Sequence, residues 1–253
     1  MTESSSAQNS FNISNSSIEN LAGSGSIYYN SPSTEPPATS AEKVILFLAA
    51  NPISTQQLRL DEEVREIEAG LQRAKQRDRF TLKQQWAVRP RDLQRAILEL
   101  KPQIVHFSGH GVGNSGASAQ ESSTRKLVPL NSAGEEVGEA GLFLEDQTGR
   151  AKLMSTEALA GLFELFKEHV ECVVLNACYS ERQADAIAQH IPYVIGMDRA
   201  ISDRAAIEFA IGFYDALGAG QSIEFAYKLG CTAIQMAGIP EHITPVMITR
   251  LDA

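Results

Sequence analysis

The sequence predicts an α/β fold in which a mainly parallel sheet carries helices on both faces. Three observations point to it. Short continuous apolar runs, such as Val44-Ile-Leu-Phe-Leu-Ala49, read as strands buried on both sides. Between them lie segments whose apolar residues recur at threes and fours, the period of an amphipathic helix. The two kinds alternate along the chain, and repeated strand, helix, strand units require crossovers that cover both faces of a sheet.

Taken in order, the strand at Val44 precedes a helix whose Leu60, Val64, Ile67, Leu71 and Ala74 share one face, while Arg and Glu crowd the other. Phe80 to Val88 reads as a second strand, and Arg91 to Leu100 as a helix stopped by Pro102. A strand from Gln103 to Ser108, a long polar loop and a hairpin from Leu142 follow. Next come a helix from about Ser155 to Lys167, a strand from Cys172 to Asn176, a helix after Ser180 and a strand from Tyr193 to Met197. Two helices, near 203–217 and 221–236, and a strand at Pro245 to Thr249 close the pattern, so one domain is expected over 43–253.

Residues 1–42 differ in kind. They are rich in Ser and Asn and end in Ser-Pro-Ser-Thr-Glu-Pro-Pro, a linker-like composition too polar to close a core. Within them, residues 11–30 carry short apolar and aromatic groups punctuated by glycine and free of proline. Such a stretch can stack as cross-β, because Asn ladders and aromatic faces repeat from chain to chain.

Composition narrows the function. A net charge of −9 and a pI near 5.1 argue against a general nucleic-acid binder, which needs clustered Lys and Arg. The basic stretch from Arg59 to Lys101 is interleaved with acids and reads as a solvated face. No apolar run approaches the roughly 18 residues of a membrane span, and the first residues lack the basic and apolar regions of a secretory signal. A soluble, cytoplasmic protein with no membrane partner is therefore expected. Cys172, Cys178 and Cys231 contain no CxxC pair, which suits neither a disulfide framework nor a zinc site, and no metal or cofactor is expected.

Two strands end in reactive side chains: Ile104-Val-His-Phe-Ser-Gly-His110-Gly111 and Cys172-Val-Val-Leu-Asn-Ala-Cys178. In open α/β sheets, sites form outside the carboxyl ends of the strands. A thiol needs a nearby imidazole to raise its thiolate fraction or to protonate a leaving amine, so His110 and Cys178 are the candidate catalytic pair. Gly109 and Gly111 let the main chain approach a substrate closely, and the amides of Gly111 and Cys178 are the candidate oxyanion donors. His106, two residues before Ser108, reads as a supporting histidine rather than the base.

The segments His-Phe-Ser-Gly-His-Gly (106–111), Gly-Leu-Phe-Leu-Glu-Asp (141–146), Val-Val-Leu-Asn-Ala-Cys-Tyr-Ser (173–180) and Val-Ile-Gly-Met-Asp-Arg-Ala-Ile-Ser-Asp (194–203) together resemble the CHAT family of caspase-like peptidases. The resemblance implies the caspase-hemoglobinase sandwich, cleavage of peptide bonds in a protein substrate, and a dyad carried over to His110 and Cys178. Where caspases read Gln-Ala-Cys-x-Gly, this chain reads Asn176-Ala177-Cys178-Tyr179-Ser180, which removes any warrant for cleavage after Asp.

Clan relatives often cleave after basic residues, which calls for a carboxylate in the pocket. Asp203, Asp198 and Asp146 are the candidates, although Ser202-Asp203 also reads as a helix cap. Residues 11–30 resemble short bacterial amyloid signalling motifs, implying a sensor or receptor partner and self-assembly that concentrates peptidase domains. The expected role is an effector in bacterial conflict or regulated cell death. The alternative is a catalytically idle interaction module recruited by its N-terminal segment.

Overall fold

The computed structural model describes residues 42–113 and 140–250. The segment 11–30 lies outside the described residues. Nine strands and six α-helices occur among those described. Six strands form the main sheet: β1 (Lys43–Ala49), β2 (Phe80–Gln85), β3 (Ile104–Ser108), β7 (Cys172–Asn176), β8 (Tyr193–Met197) and β9 (Pro245–Thr249). Their order across the sheet is β2-β1-β3-β7-β8-β9, and all neighbours run parallel except β8 and β9. A smaller antiparallel sheet joins β4 (Gly111–Val112), β5 (Gly141–Glu145) and β6 (Ala151–Ser155).

Strand alternation sorts the core into two layers. Ile45, Phe47, Ile104, Cys172, Val174 and Ile195 face one way. They pack against α1 (Leu60–Arg73), α5 (Asp203–Gly218) and α6 (Ile223–Met236). Leu46, Leu48, Val105, Phe107, Val173 and Leu175 face the other way. They meet α2 (Pro90–Leu100), α3 (Thr156–Leu165) and α4 (Glu181–Ala188). The α/β sandwich expected from the alternating pattern is the observed architecture.

Local chemistry sets the element boundaries. Ser155, Ser202 and Ser222 cap α3, α5 and α6, each hydroxyl accepting from a backbone N–H three residues on. Pro90 opens α2, and the Asp92 carboxylate accepts the Arg89 amide at 3.2 Å. The second strand stops at Gln85 rather than Val88, because the chain turns through Ala87 at φ 52° before that proline. Val88 still bonds Ala49 and Glu145 through its backbone, tying the two sheets together. The polar loop expected after Ser108 begins instead with β4, whose antiparallel pairing to β5 pins the residues beyond His110. No helix among the described residues is long and apolar enough to cross a membrane.

Phe213 sits fully buried on α5, edge-on to Tyr214 and stacked against Phe209. Phe213→Ala is expected to cost about 3–5 kcal/mol in urea unfolding, whereas Phe225→Ala, at a half-exposed site, should cost less than about 0.5 kcal/mol.

Candidate active site

Because β1, β3, β7 and β8 are parallel, their following loops emerge on one edge of the sheet. Those loops hold Gln56, His110, Cys178 and the segment 198–203. The register between β3 and β7 pairs Ser108 with Asn176. His110 and Cys178 lie two residues beyond that pair on their respective segments, and the backbone of Gly111 lies against the Cys178 carbonyl. The last ladder bond runs from Gly109 N–H to the Asn176 carbonyl at 3.3 Å.

Gly111 follows at once, and its backbone lies against the nucleophile strand. A β-carbon there would meet the Cys178 carbonyl oxygen at 2.3 Å, so no other residue fits without moving the tip of β7. Phe143 N–H donates to the His110 carbonyl at 2.9 Å, which makes His110 a hydrogen-bonded partner of β5 and leaves Gly111 in the alternate position. In an antiparallel pair that position turns its N–H away from the partner strand. The Gly111 amide therefore points away from β5.

The imidazole is oriented by the loop after β1. Asn51 closes this loop on itself, its side chain accepting from Leu58 N–H at 3.2 Å and donating to the Leu58 carbonyl at 3.0 Å. The Gln56 carbonyl is thereby presented to His110 Nε2 at 2.7 Å. A carbonyl can only accept, so Nε2 carries the proton and Nδ1 is left as the basic nitrogen. His110 is 8% exposed. Burial lowers its affinity for a second proton below the ordinary value, and the Gln56 carbonyl and the Asp203 charge only partly offset this.

Cys178 occupies a sharp turn between β7 and α4. Tyr179 adopts φ 57°, a left-handed conformation costly for a residue with a β-carbon, and its N–H donates to the Arg199 carbonyl at 3.1 Å. Ser180 locks the turn, its hydroxyl donating to the Leu175 carbonyl and accepting from Met197 N–H, both at 2.9 Å. The thiol meets the backbone of Ile201, donating to its carbonyl at 3.6 Å and accepting from its N–H at 3.5 Å. Burial pushes the Cys178 thiol above the ordinary cysteine value, with the Glu241 charge adding to it and the Ile201 backbone opposing. At neutral pH the resting pair is a thiol and a neutral imidazole.

Of the three carboxylates considered for a substrate pocket, Asp203 is the one whose charge reaches His110. It is already occupied: Arg59 donates from Nε at 2.8 Å and from its backbone N–H at 3.2 Å. Asp198 pairs with its neighbour Arg199 at 2.7 Å. Asp146 closes the β5–β6 turn, accepting from the Thr148 and Arg150 amides at 2.7 and 3.0 Å. The helix start expected at Ser202-Asp203 is observed, with Ser202 as the cap of α5 and Asp203 in its first turn. Cys172 is fully buried, with burial driving its thiol far above the usual range, and Cys231 lies half-buried on α6.

Beneath the strand tips lies a cluster the motif reading passed over. Glu63 of α1 is 2% exposed. It bonds His106 Nε2 at 2.9 Å, Asn176 Nδ2 at 2.7 Å and the Ser108 hydroxyl. Tyr214, whose phenol burial holds well above its ordinary pKa, faces His106 Nδ1 at 3.1 Å. The signal was present in the sequence, since Glu63 falls three residues after Leu60 and four before Ile67, on the apolar stripe of its helix. The Gln56 carbonyl had no such signal, because a backbone group leaves no mark on residue type.

The mainly parallel sheet with helices on both faces is an α/β sandwich of caspase-like fold. The CHAT domain family matches residues 21–228, and the chain belongs to that family. It is 24% identical over 199 residues to a "Probable protease" of Gillisia limnaea, covering 77% of this chain and 31% of that protein. It is 26% identical over 230 residues to a "Roc-COR-CHAT protease" of an unknown prokaryotic organism, covering 85% of this chain and 19% of that one. The chain thus spans less than a third of either relative. Among solved structures, a secreted C11 cysteine protease from Bacteroides thetaiotaomicron, in complex with an irreversible peptide inhibitor, is similar in fold. Its TM-score is 0.57 at 15% identity, covering 83% of this chain and 67% of that one.

Two pH effects follow from the burial of the pair. Alkylation of Cys178 by iodoacetamide, read by peptide mass spectrometry, should still be accelerating at pH values where an exposed thiol has levelled off. His110 has a folded pKa below its unfolded value of about 6.5, so the unfolded state binds more protons below that pH and stability falls as pH drops through that window. His110→Gln should flatten this part of the stability curve in denaturant titrations carried downward from about pH 6.5.

Proposed function

We propose that the chain is a cysteine endopeptidase that uses Cys178 as nucleophile and His110 as general base and acid. The observation that carries this reading is the β3–β7 register, which pairs Ser108 with Asn176, two residues before His110 and Cys178, at the same end of the sheet. The fold likeness and the names of both curated relatives support it. In the reaction, the thiol proton passes to His110 Nδ1 as sulfur attacks the scissile carbonyl carbon. The Gly111 and Cys178 amides receive the developing oxyanion. Collapse expels the amine, which takes its proton from His110, and water then hydrolyses the thioester with His110 again as base.

A neutral, backbone-tethered thiol supports a resting enzyme that must be switched on, because the Cys178 side chain has to leave Ile201 before it can attack. We read the activating event as partner-driven assembly through residues 11–30, in an effector of bacterial conflict or regulated cell death. Asp203 is the carboxylate we assign to a basic P1 side chain, which would compete with Arg59 for it.

Cys178→Ala and His110→Ala should each abolish cleavage of a peptide library while leaving the thermal melt within a few degrees of wild type. Retained cleavage in either variant rejects the dyad. For peptides with Arg or Lys at P1, Arg59→Ala should lower KM several-fold and Asp203→Asn should raise it about tenfold, the scale of one charge-assisted bond of about 1.4 kcal/mol. Unchanged KM in both variants would remove Asp203 from the pocket.

A further inference from the structure

The geometry points to Glu63 as a positioning residue: its buried carboxylate staples the tips of β3 and β7 and so sets the separation of His110 and Cys178. Its kinetic consequence rests on the peptidase reading given above; its structural consequence does not.

Three features lead there. The first is placement. One carboxylate oxygen is shared by His106 Nε2 of β3 and Asn176 Nδ2 of β7, and the other takes the Ser108 hydroxyl of β3. Ser108 and Asn176 are register partners, two residues before His110 and Cys178 respectively. The backbone ladder between these strands ends with the bond from Gly109 to Asn176, so the reactive residues sit just beyond the last point at which main-chain pairing holds the tips together. The Glu63 carboxylate cross-links the side chains at that level.

The second is connectivity. Glu63 lies in the first turn of α1, the helix entered from the loop that presents Gln56 to His110 and Arg59 to Asp203. Fixing Glu63 to the strand tips therefore also fixes the carbonyl that orients the imidazole. Asn176 extends the tie to α5 by donating to the Ala206 carbonyl at 3.2 Å.

The third is energetic. Burying a carboxylate is costly, and apolar replacements of buried charged clusters are often no less stable. Glu63 sits among Leu60, Val64 and Ile67, where a leucine would continue the stripe. What the carboxylate supplies that a hydrocarbon cannot is directional bonding to two strands at once. The test follows from this, because glutamine can reproduce most of the geometry: its carbonyl oxygen accepts from His106 and Asn176 while its amide donates to the Ser108 oxygen.

The test compares wild type, Glu63→Gln and Glu63→Ala in the full chain. Cleavage of the best library peptide is normalised to competent sites counted with an irreversible inhibitor built on that peptide. Independently, iodoacetamide labelling is read at Cys178 and at the core residue Cys172. The staple predicts that Glu63→Ala loses at least tenfold in kcat per competent site with KM within about twofold. It also predicts at least threefold faster labelling of Cys178 while Cys172 stays protected, and near wild-type behaviour for Glu63→Gln. Unchanged kcat per site and unchanged Cys178 labelling in Glu63→Ala overturns it, as does labelling of Cys172 in step with Cys178, which would mean general loosening. Should Glu63→Ala not fold, Ser108→Ala and Asn176→Ala carry the same criteria at a threefold threshold. If wild type cleaves no peptide even after it has been driven to assemble through residues 11–30, the peptidase reading fails, and the labelling arm alone decides the staple.

Discussion

The parallel pairing of β3 with β7 is the constraint on which the site depends. Residues far apart in sequence become neighbours only because Ile104 pairs with Cys172 and the match continues to Ser108 and Asn176. A slip of one residue would turn every side chain of one strand to the other face. Depending on the strand that slips, it would place the apolar Phe107 or Leu175, which pack toward α2, α3 and α4, where the polar Ser108 or Asn176 now meets Glu63. The register is therefore held by both chemistries at once: hydrocarbon on one face, and a polar cluster that has no other place to go on the opposite face.

That cluster explains how an exposed edge can hold reactive groups steadily. Loops at the end of a sheet are ordinarily its least constrained part. Here each is tied by a specific bond: the β1 loop by Asn51 to Leu58, the β7 turn by Ser180 between Leu175 and Met197, and the segment before α5 by Ser202 N–H to Glu241 at 2.6 Å. The residue beyond His110 is fixed by pairing to β5. The cost of this order includes the left-handed Tyr179, a conformation that persists only where its surroundings over-determine it.

Burial has an electrostatic consequence that geometry alone does not convey. The same packing that orients His110 and Cys178 disfavours the charged form of each, so proximity does not produce a resting thiolate–imidazolium pair. Tethering of the thiol to Ile201 and of Asp203 to Arg59 extends the same theme to the surrounding loops. The resting arrangement is one in which each group expected to meet substrate already has an internal partner.

Much of this was legible in residue order. Apolar runs located the strands, with Tyr193–Met197 and Pro245–Thr249 read to the residue, and the Gly109 and Gly111 flanks of His110 signalled close backbone approach. The second strand was read three residues too long, because nothing in Trp86 or Ala87 announces a positive φ. Strand β4 was missed since two residues are too few to show alternation. Nothing in the sequence said which partners the candidate carboxylates Asp203, Asp198 and Asp146 would find: ion pairing and turn closure depend on which Arg or amide arrives from elsewhere in the fold.

By itself, then, residue order determined the layered α/β class, the alternating inward faces of the strands and which strand ends carry the candidate thiol and imidazole, because these are properties of period and residue type. Tertiary structure alone decided strand order and register, the tautomer imposed by the Gln56 carbonyl, and the gathering of Glu63, His106, Ser108 and Asn176. Those depend on distances between segments remote in sequence, and a hydrogen bond is specified by where two groups meet rather than by what either one is.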